Sequence, residues 1–358
     1  MNRPTGFGRV AALAAFTALL AGCYNDNFYS SQLALQALGG PNTIGSTVVG
    51  GGDQNPYGLD VAWVSLGLIE AGDLIVCDFS DAANTEGAGT SLLALHPNTG
   101  ATPILIAQDS SLKGCSAVAA LPDGNIVVAA SQANKLQLVS PSGVISTPYA
   151  ADTFHNPWGV TFADTPAGRQ LYVSNSTLGT IDRIVLNADD TQASFTEIAT
   201  GFTATGAPGS IAAPSGLSYD NTIDTLYIVD TGTNTVVAFN NVSTIAADGV
   251  SVTVSGGADS FSGANASSAH VIVHGAPLNG PISAALLSSG NLIVGNTLDP
   301  NGTNLLLEIS PSGSVLYTRN VDTGNAGAIF GIAIEYDAYG NPAIFFNDDN
   351  SNTVQGLF

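Results

Sequence analysis

Oxygen-bearing side chains recur at the turns that flank short apolar runs of this chain, among them Asp53, Asn55, Asn156 and Asp230. Carboxylate and amide oxygens are hard donors, and calcium is the cation they suit. The same residue types also satisfy the backbone of tight turns, so each admits a purely structural reading. His155 precedes Asn156 and is the one histidine at such a place. Tyr57 and Trp158 each sit between a proline and a glycine, and Phe330 precedes Gly331 at the matching position. Aromatic rings gathered around a channel mouth can stack on a sugar or another flat ligand, or they can wedge neighbouring sheets together. If the fold brings these residues to one rim, the ligand-binding set is Asp53, Asn55, Tyr57, His155, Asn156, Trp158, Asp230 and Phe330. Within it Asn55 and Asn156 would be the metal ligands.

Such a rim needs elements that return to it repeatedly, and the chain has them. Six apolar runs end in a small or acidic residue and a turn: GDLIVCDF from Gly72, NIVVAAS from Asn125, RQLYVSN from Arg169, LYIVDTGTNTVVAF from Leu226, NLIVGN from Asn291 and NPAIFFND from Asn341. Their spacing, roughly 45 to 65 residues, is that of a propeller blade with variable loops. Gly, Asn, Asp and Pro punctuate four strands per copy. The predicted fold is all-β, a six-bladed β-propeller over residues 43–358. The last copy runs out one strand short, which would leave an unpaired edge. A segment within Gln32–Val49, near Thr43–Val49, is expected to close it. In the fourth copy SVTVSGG (251–257) reads as the outer strand, followed by a polar insert over 258–278. His270 and His274 fall in that insert, where they could form a lid above His155.

The segment Pro-x-Gly, a strand, a Gly turn and then Val229-Asp230-Thr231-Gly232-Thr233-Asn234-Thr235 before a third strand resembles the NHL-repeat family of β-propellers. The resemblance covers nearly all of the chain after its first 23 residues. It is strong in blades three and four and weak in blades two and five, where Pro-x-Gly becomes GCSA (114–117) and GPIS (280–283). It implies a binding or scaffold module. Gluconolactonase-like propellers hold a central cation with Glu, two Asn and Asp; Asn55 and Asn156 could supply the amides, but no Glu leads into blade one. Amidating-lyase propellers hold zinc with three His, and His155 alone is placed for that.

Arg3 and Arg9 precede an apolar stretch, Val10–Ala21, that is short for a membrane span and of the kind found in export signals. Leu20-Ala21-Gly22-Cys23 resembles a bacterial lipobox, which implies a signal peptide over 1–22, acylation of Cys23 and a tether over 23–42. The expected location is the bacterial cell envelope, lipid-anchored and extracytoplasmic, on the outer membrane if the cell has one. Beyond that leader, five basic residues stand against 28 acidic ones, a net charge of −23. Nucleic acid is thereby excluded as a partner. Cys77 and Cys115 could close a disulfide in an oxidising compartment or serve as small buried apolar residues. No P-loop, dinucleotide fingerprint or zinc-protease motif is present. The reading is a lipid-anchored propeller that binds a glycan or protein ligand; the alternative is a cation-dependent hydrolase or lyase of the lactonase-like type.

Overall fold

Each apolar run is a strand buried on both faces. In Ile126–Ala130 every residue is buried; Ile126 and Val128 pack with the preceding sheet, Val127 and Ala129 with the following one. Because side chains alternate along a strand, a run that is apolar at every position requires a sheet on either side. A radial stack supplies this for every blade, and an apolar cluster fills each of the six seams.

The computed structural model describes residues 33–50, 52–150, 154–205 and 212–358. Cys23 and the expected leader lie outside the described residues. Six antiparallel-built sheets surround one axis. Their inner strands are Gln54–Val61, Cys115–Ala120, Pro157–Thr165, Pro214–Asp220, Pro281–Leu286 and Ile329–Tyr336. Each packs against the next, and the last against the first, so the ring is closed. All six begin at one face, here the leading face, and end at the opposite, trailing face.

Closure comes from the N-terminal strand, as the missing edge of the last copy required. Asn42–Ser46 pairs antiparallel with Thr353–Leu357, Asn42 opposite Gly356 and Ser46 opposite Thr353. The packed unit begins at Leu33. A turn of helix, Ala34–Ala37, buries Leu35 between blades five and six, and the Arg319 guanidinium binds the carbonyls of Leu35, Leu38 and Gly40.

Two assignments in the fourth blade are corrected. Val250–Ser255 does not join that blade; it pairs in parallel with Gln192–Thr200, the outer strand of blade three, and Ala258–Ser262 extends the same sheet to six strands. The fourth strand of blade four is instead Ala269–His274, paired with Thr235–Asn240. His270 and His274 therefore sit on an outer strand, far from any lid over the axis.

Pro-x-Gly has a steric cause. A Cβ on Gly159 would lie 2.1 Å from the Ser215 carbonyl oxygen, on Gly216 2.5 Å from Ser283 Cα, and on Gly331 2.6 Å from the Tyr57 carbonyl oxygen. Inner strands of neighbouring blades touch backbone to backbone at this level, which only a missing side chain permits. Blades two and five, where the motif lapses, carry the small residues Ala117 and Ser283. Polar stitches cross the seams at the same level: Ser116 Oγ donates to the Pro157 carbonyl (3.1 Å), Ser174 Oγ to Ser215 (2.7 Å) and Thr231 Oγ1 to Pro281 (2.6 Å). Ser283 Oγ donates to the Phe330 carbonyl, and Asn347 Nδ2 to that of Gly58 (3.0 Å). The remaining seam, between blades one and two, holds the Cys77–Cys115 disulfide, Cα–Cα 5.9 Å.

Candidate functional site

On the leading face the sequence-predicted residues separate into three groups. Tyr57, Trp158 and Phe330 do converge on the axis, joined by Phe79 and Ile282, but all five are buried against one another. Tyr57 stacks on Phe330 at 3.6 Å between ring centroids and on Phe79 at 4.3 Å, while Phe79 meets Trp158 edge-on at 5.6 Å. Ring faces consumed in this way plug the channel. Burial, followed by the charges of Asp349 and Glu86, drives the Tyr57 hydroxyl well above its usual pKa.

Asn55 and Asn156 form the second group, and both adopt a left-handed backbone, φ 63° and 56°. The Asn55 N–H donates to Asn352 Oδ1 and the Asn156 N–H to Asn134 Oδ1, each at 2.7 Å. Gly280 repeats the contact with Asn234. In each case an Asn in the turn between the second and third strands of one blade latches the residue that leads into the next, which accounts for Asn234 in the NHL-like segment. The Asn55 side chain is also engaged, donating to Ser80 Oγ (3.1 Å) and Asn84 Oδ1 (2.8 Å). The Asn156 amide differs, being buried with neither polar atom hydrogen-bonded to protein.

The remaining residues lie apart. Asp53 is buried, its Oδ2 accepting the Thr90 N–H (2.6 Å) and hydroxyl (3.0 Å). His155 is exposed; its N–H donates to Asn175 Oδ1 and its carbonyl accepts from the Thr177 N–H. Asp230 is not at the mouth: it is fully buried, accepts from Thr203 Oγ1 and the Gly232 N–H, and faces Asp259 of the inserted strand. Burial raises both carboxyls, Asp259 to about 7. Elsewhere on this face burial lifts Asp78 to about 7, against the pull of the Thr47 and Ser91 hydroxyls. Asp349 is raised to about 7 by burial and then by Asp348 and Glu86. Among the described residues, no three His, Cys, Asp or Glu side chains converge in a way that could hold a metal ion.

The open space lies at the other end of the channel. Beneath the plug a neck of about 80 Å³ runs to a throat of six aliphatic residues, one from each blade: Leu59, Val118, Val160, Leu217, Ala284 and Ile332. Below the throat the trailing face opens into a cavity of about 370 Å³. Its rim carries Asp60, Trp63, Phe162, Asp164 and Tyr219. Trp63 is 59% exposed, yet its indole Nε1–H donates to the Ala120 carbonyl at 3.1 Å, so a large apolar ring is held out over the opening. Asp60, half-buried beside it, accepts the N–H groups of Val61 and Ala120 at 2.8 Å each. Desolvation outweighs those two donors and brings its pKa up to about 6.

None of these trailing-face residues was singled out from the sequence. One signal was available: Trp63 stands in the connection after the first inner strand, with Leu66 and Leu68 close behind, where turn chemistry calls for small polar residues.

No protein-family model matches the chain, and no curated protein matches its sequence. Among solved structures it is similar to a gluconolactonase from Xanthomonas campestris, with TM-score 0.56 and 13% identity over 85% of this chain and 86% of that one. It is also similar to the calcium-binding protein regucalcin from Agrobacterium tumefaciens, with TM-score 0.55 and 14% identity over 89% and 93%. A chain of a nidogen/laminin complex gives TM-score 0.54 and 16% identity over 78% and 84%. At these identities the likeness shows the fold, a β-propeller.

Proposed function

We propose that this protein is a lipid-anchored, extracytoplasmic propeller that binds a small ligand in the trailing-face cavity. The observation that carries the reading is Trp63. Exposed apolar rings are ordinarily left free, whereas this one is fixed by its own hydrogen bond at the rim of a cavity of about 370 Å³, beside a desolvated carboxylate. Concave, mostly apolar walls with a few converging polar groups are what small-ligand sites share. The chain has two tryptophans, and Trp158 is buried in the plug. Intrinsic fluorescence therefore reads the site directly: a ligand in the cavity should shift or quench the Trp63 emission, and Trp63→Phe should abolish the response. Absence of any response across a fragment library would sink the reading. For the anchor, the Leu-Ala-Gly-Cys segment is the support, and Cys23→Ser should move the protein from the membrane fraction to the soluble one.

A second reading, a cation-dependent hydrolase or lyase acting at the leading face, is favoured by the Asn156 amide alone, which is buried without a protein partner. A gluconolactonase and a calcium-binding protein among the structural neighbours agree with it. Here calcium should raise the melting temperature by several degrees, and Asn156→Ala should remove that rise. No rise in the unmodified protein removes this reading.

A further inference from the structure

Among the described residues every charged group on the trailing cavity is negative: Asp60 and Asp164 line it, and no Lys, Arg or His does. Around them stand three aromatic residues, Trp63, Phe162 and Tyr219, and behind them the aliphatic throat. A carboxylate beside ring faces, opening on apolar walls, matches one ligand chemistry closely. The rings attract positive charge through their quadrupoles, the carboxylates supply the counter-charge, and the throat accepts hydrocarbon. Thr161, Ser218 and Asn221 add hydrogen-bonding groups to the cavity wall, so a neutral sugar is the competing ligand that the test must separate.

We propose that the cavity binds an organic cation, an ammonium group carrying apolar substituents, with its charge at Asp60, Asp164 and the Trp63 ring and its apolar part toward the throat. This rests on the trailing cavity being the binding site. The molecule already makes the same contact internally: the Arg169 guanidinium lies 5.4 Å from the centre of the Phe162 ring. That cation does not line the cavity, and Asp190 neutralises it at 2.6 Å, so it leaves the negative balance of the rim intact. Asp60 is built to hold its place, because two backbone N–H donors from different strands fix both of its oxygens while leaving lone pairs for a ligand. The strongly acidic chain adds a long-range field that concentrates cations near the surface.

The test is a titration of the full-length protein, followed by Trp63 emission and calorimetry. The probes are benzyltrimethylammonium, choline, 3,3-dimethylbutanol as the uncharged carbon isostere of choline, and methyl glucoside. Both cations should bind saturably, choline at least about tenfold more tightly than its isostere. Asp164→Asn, an exposed change that leaves folding alone, should weaken the cations several-fold and leave dimethylbutanol unaffected. Asp60→Asn should weaken them further. Equal binding of choline and its isostere, or tighter binding of methyl glucoside, overturns the cation assignment while leaving the cavity as the site. If no probe reaches Trp63 and fragment soaking leaves the cavity unfilled, the binding site itself is wrong and the cation with it.

Discussion

The two ends of the channel are made from the same six strands and come out opposite in character. At the leading end, four of these strands place a large residue near their start, so Tyr57, Trp158, Ile282 and Phe330 fill the axis with Phe79 behind them, while Ser116 and Ser215 stand at that place in the other two. At the trailing end the inward residues are Leu, Val, Ala and Ile, and the aromatic side chains stand at the rim. An aromatic ring near the axis of a propeller is therefore not in itself a ligand platform. What separates the two roles is whether the faces are already occupied by other rings.

The sharpest way to break this contrast is at the tryptophans. Trp158→Ala should cost about 3–5 kcal/mol of stability, as removal of a buried Trp from a packed cluster does, and should leave the Trp63 response to a trailing-face ligand in place; denaturant unfolding and a fluorescence titration measure the two. Loss of binding with little loss of stability would return the ligand to the leading face. Next in size is the covalent seam. Cys115→Ser should destabilise by up to about 4 kcal/mol from the loop of 38 residues that the disulfide closes, read as a lower denaturation midpoint that added reductant no longer changes.

Titration sharpens the comparison further. Asp78 and Asp349 at the leading face are held at about 7, Asp182 at about 8, and Asp60 at the trailing face at about 6. A carboxyl whose folded pKa lies above its unfolded value binds its proton more tightly in the native state. Its contribution is then fully present below about pH 4 and is lost as pH rises through the folded pKa. Stability measured by urea midpoint should accordingly decline from about pH 5 to 8. Asp78→Asn with Asp349→Asn should flatten the upper part of that decline, and Asp60→Asn only the part below about pH 6. A midpoint that rises over this interval would contradict the burial of these carboxyls. The smallest expected effect is Trp63→Ala, under about 1 kcal/mol in stability, with the fluorescence response to ligand gone.

Sequence pattern revealed the blades because a strand buried on both faces leaves an unbroken apolar run, and Ile126–Ala130 or Leu226–Val229 can hardly be read otherwise. It revealed the closing strand because a three-stranded last blade is an unsatisfied edge. The destination of Val250–Ser255 was hidden, since an alternating VSVTVS fits the edge of either adjoining sheet and its parallel pairing to Gln192–Thr200 is decided by the path of the connection. At the leading face the residue types were right for a rim, but Asn55 and Asn156 carry their meaning in backbone φ, and Tyr57 and Phe330 in their mutual stacking. Neither is visible in composition. Asp60 lies within the first inner strand and Trp63 just after it, but neither residue type recurs at the matching position of the other copies, so the repeat does not mark them.

The closing strand has a consequence for how the protein is made. Thr43 bonds to Gln355 across a separation of 312 residues, so Asn42–Ser46 has no strand partner until Thr353–Leu357 exists. Blades one to five can assemble as they emerge, yet the circle stays broken and its two edges unpaired until Thr353–Leu357 has been synthesised. A chain truncated by even its last dozen residues would lose more than a strand, because its own beginning would be left with nothing to hold.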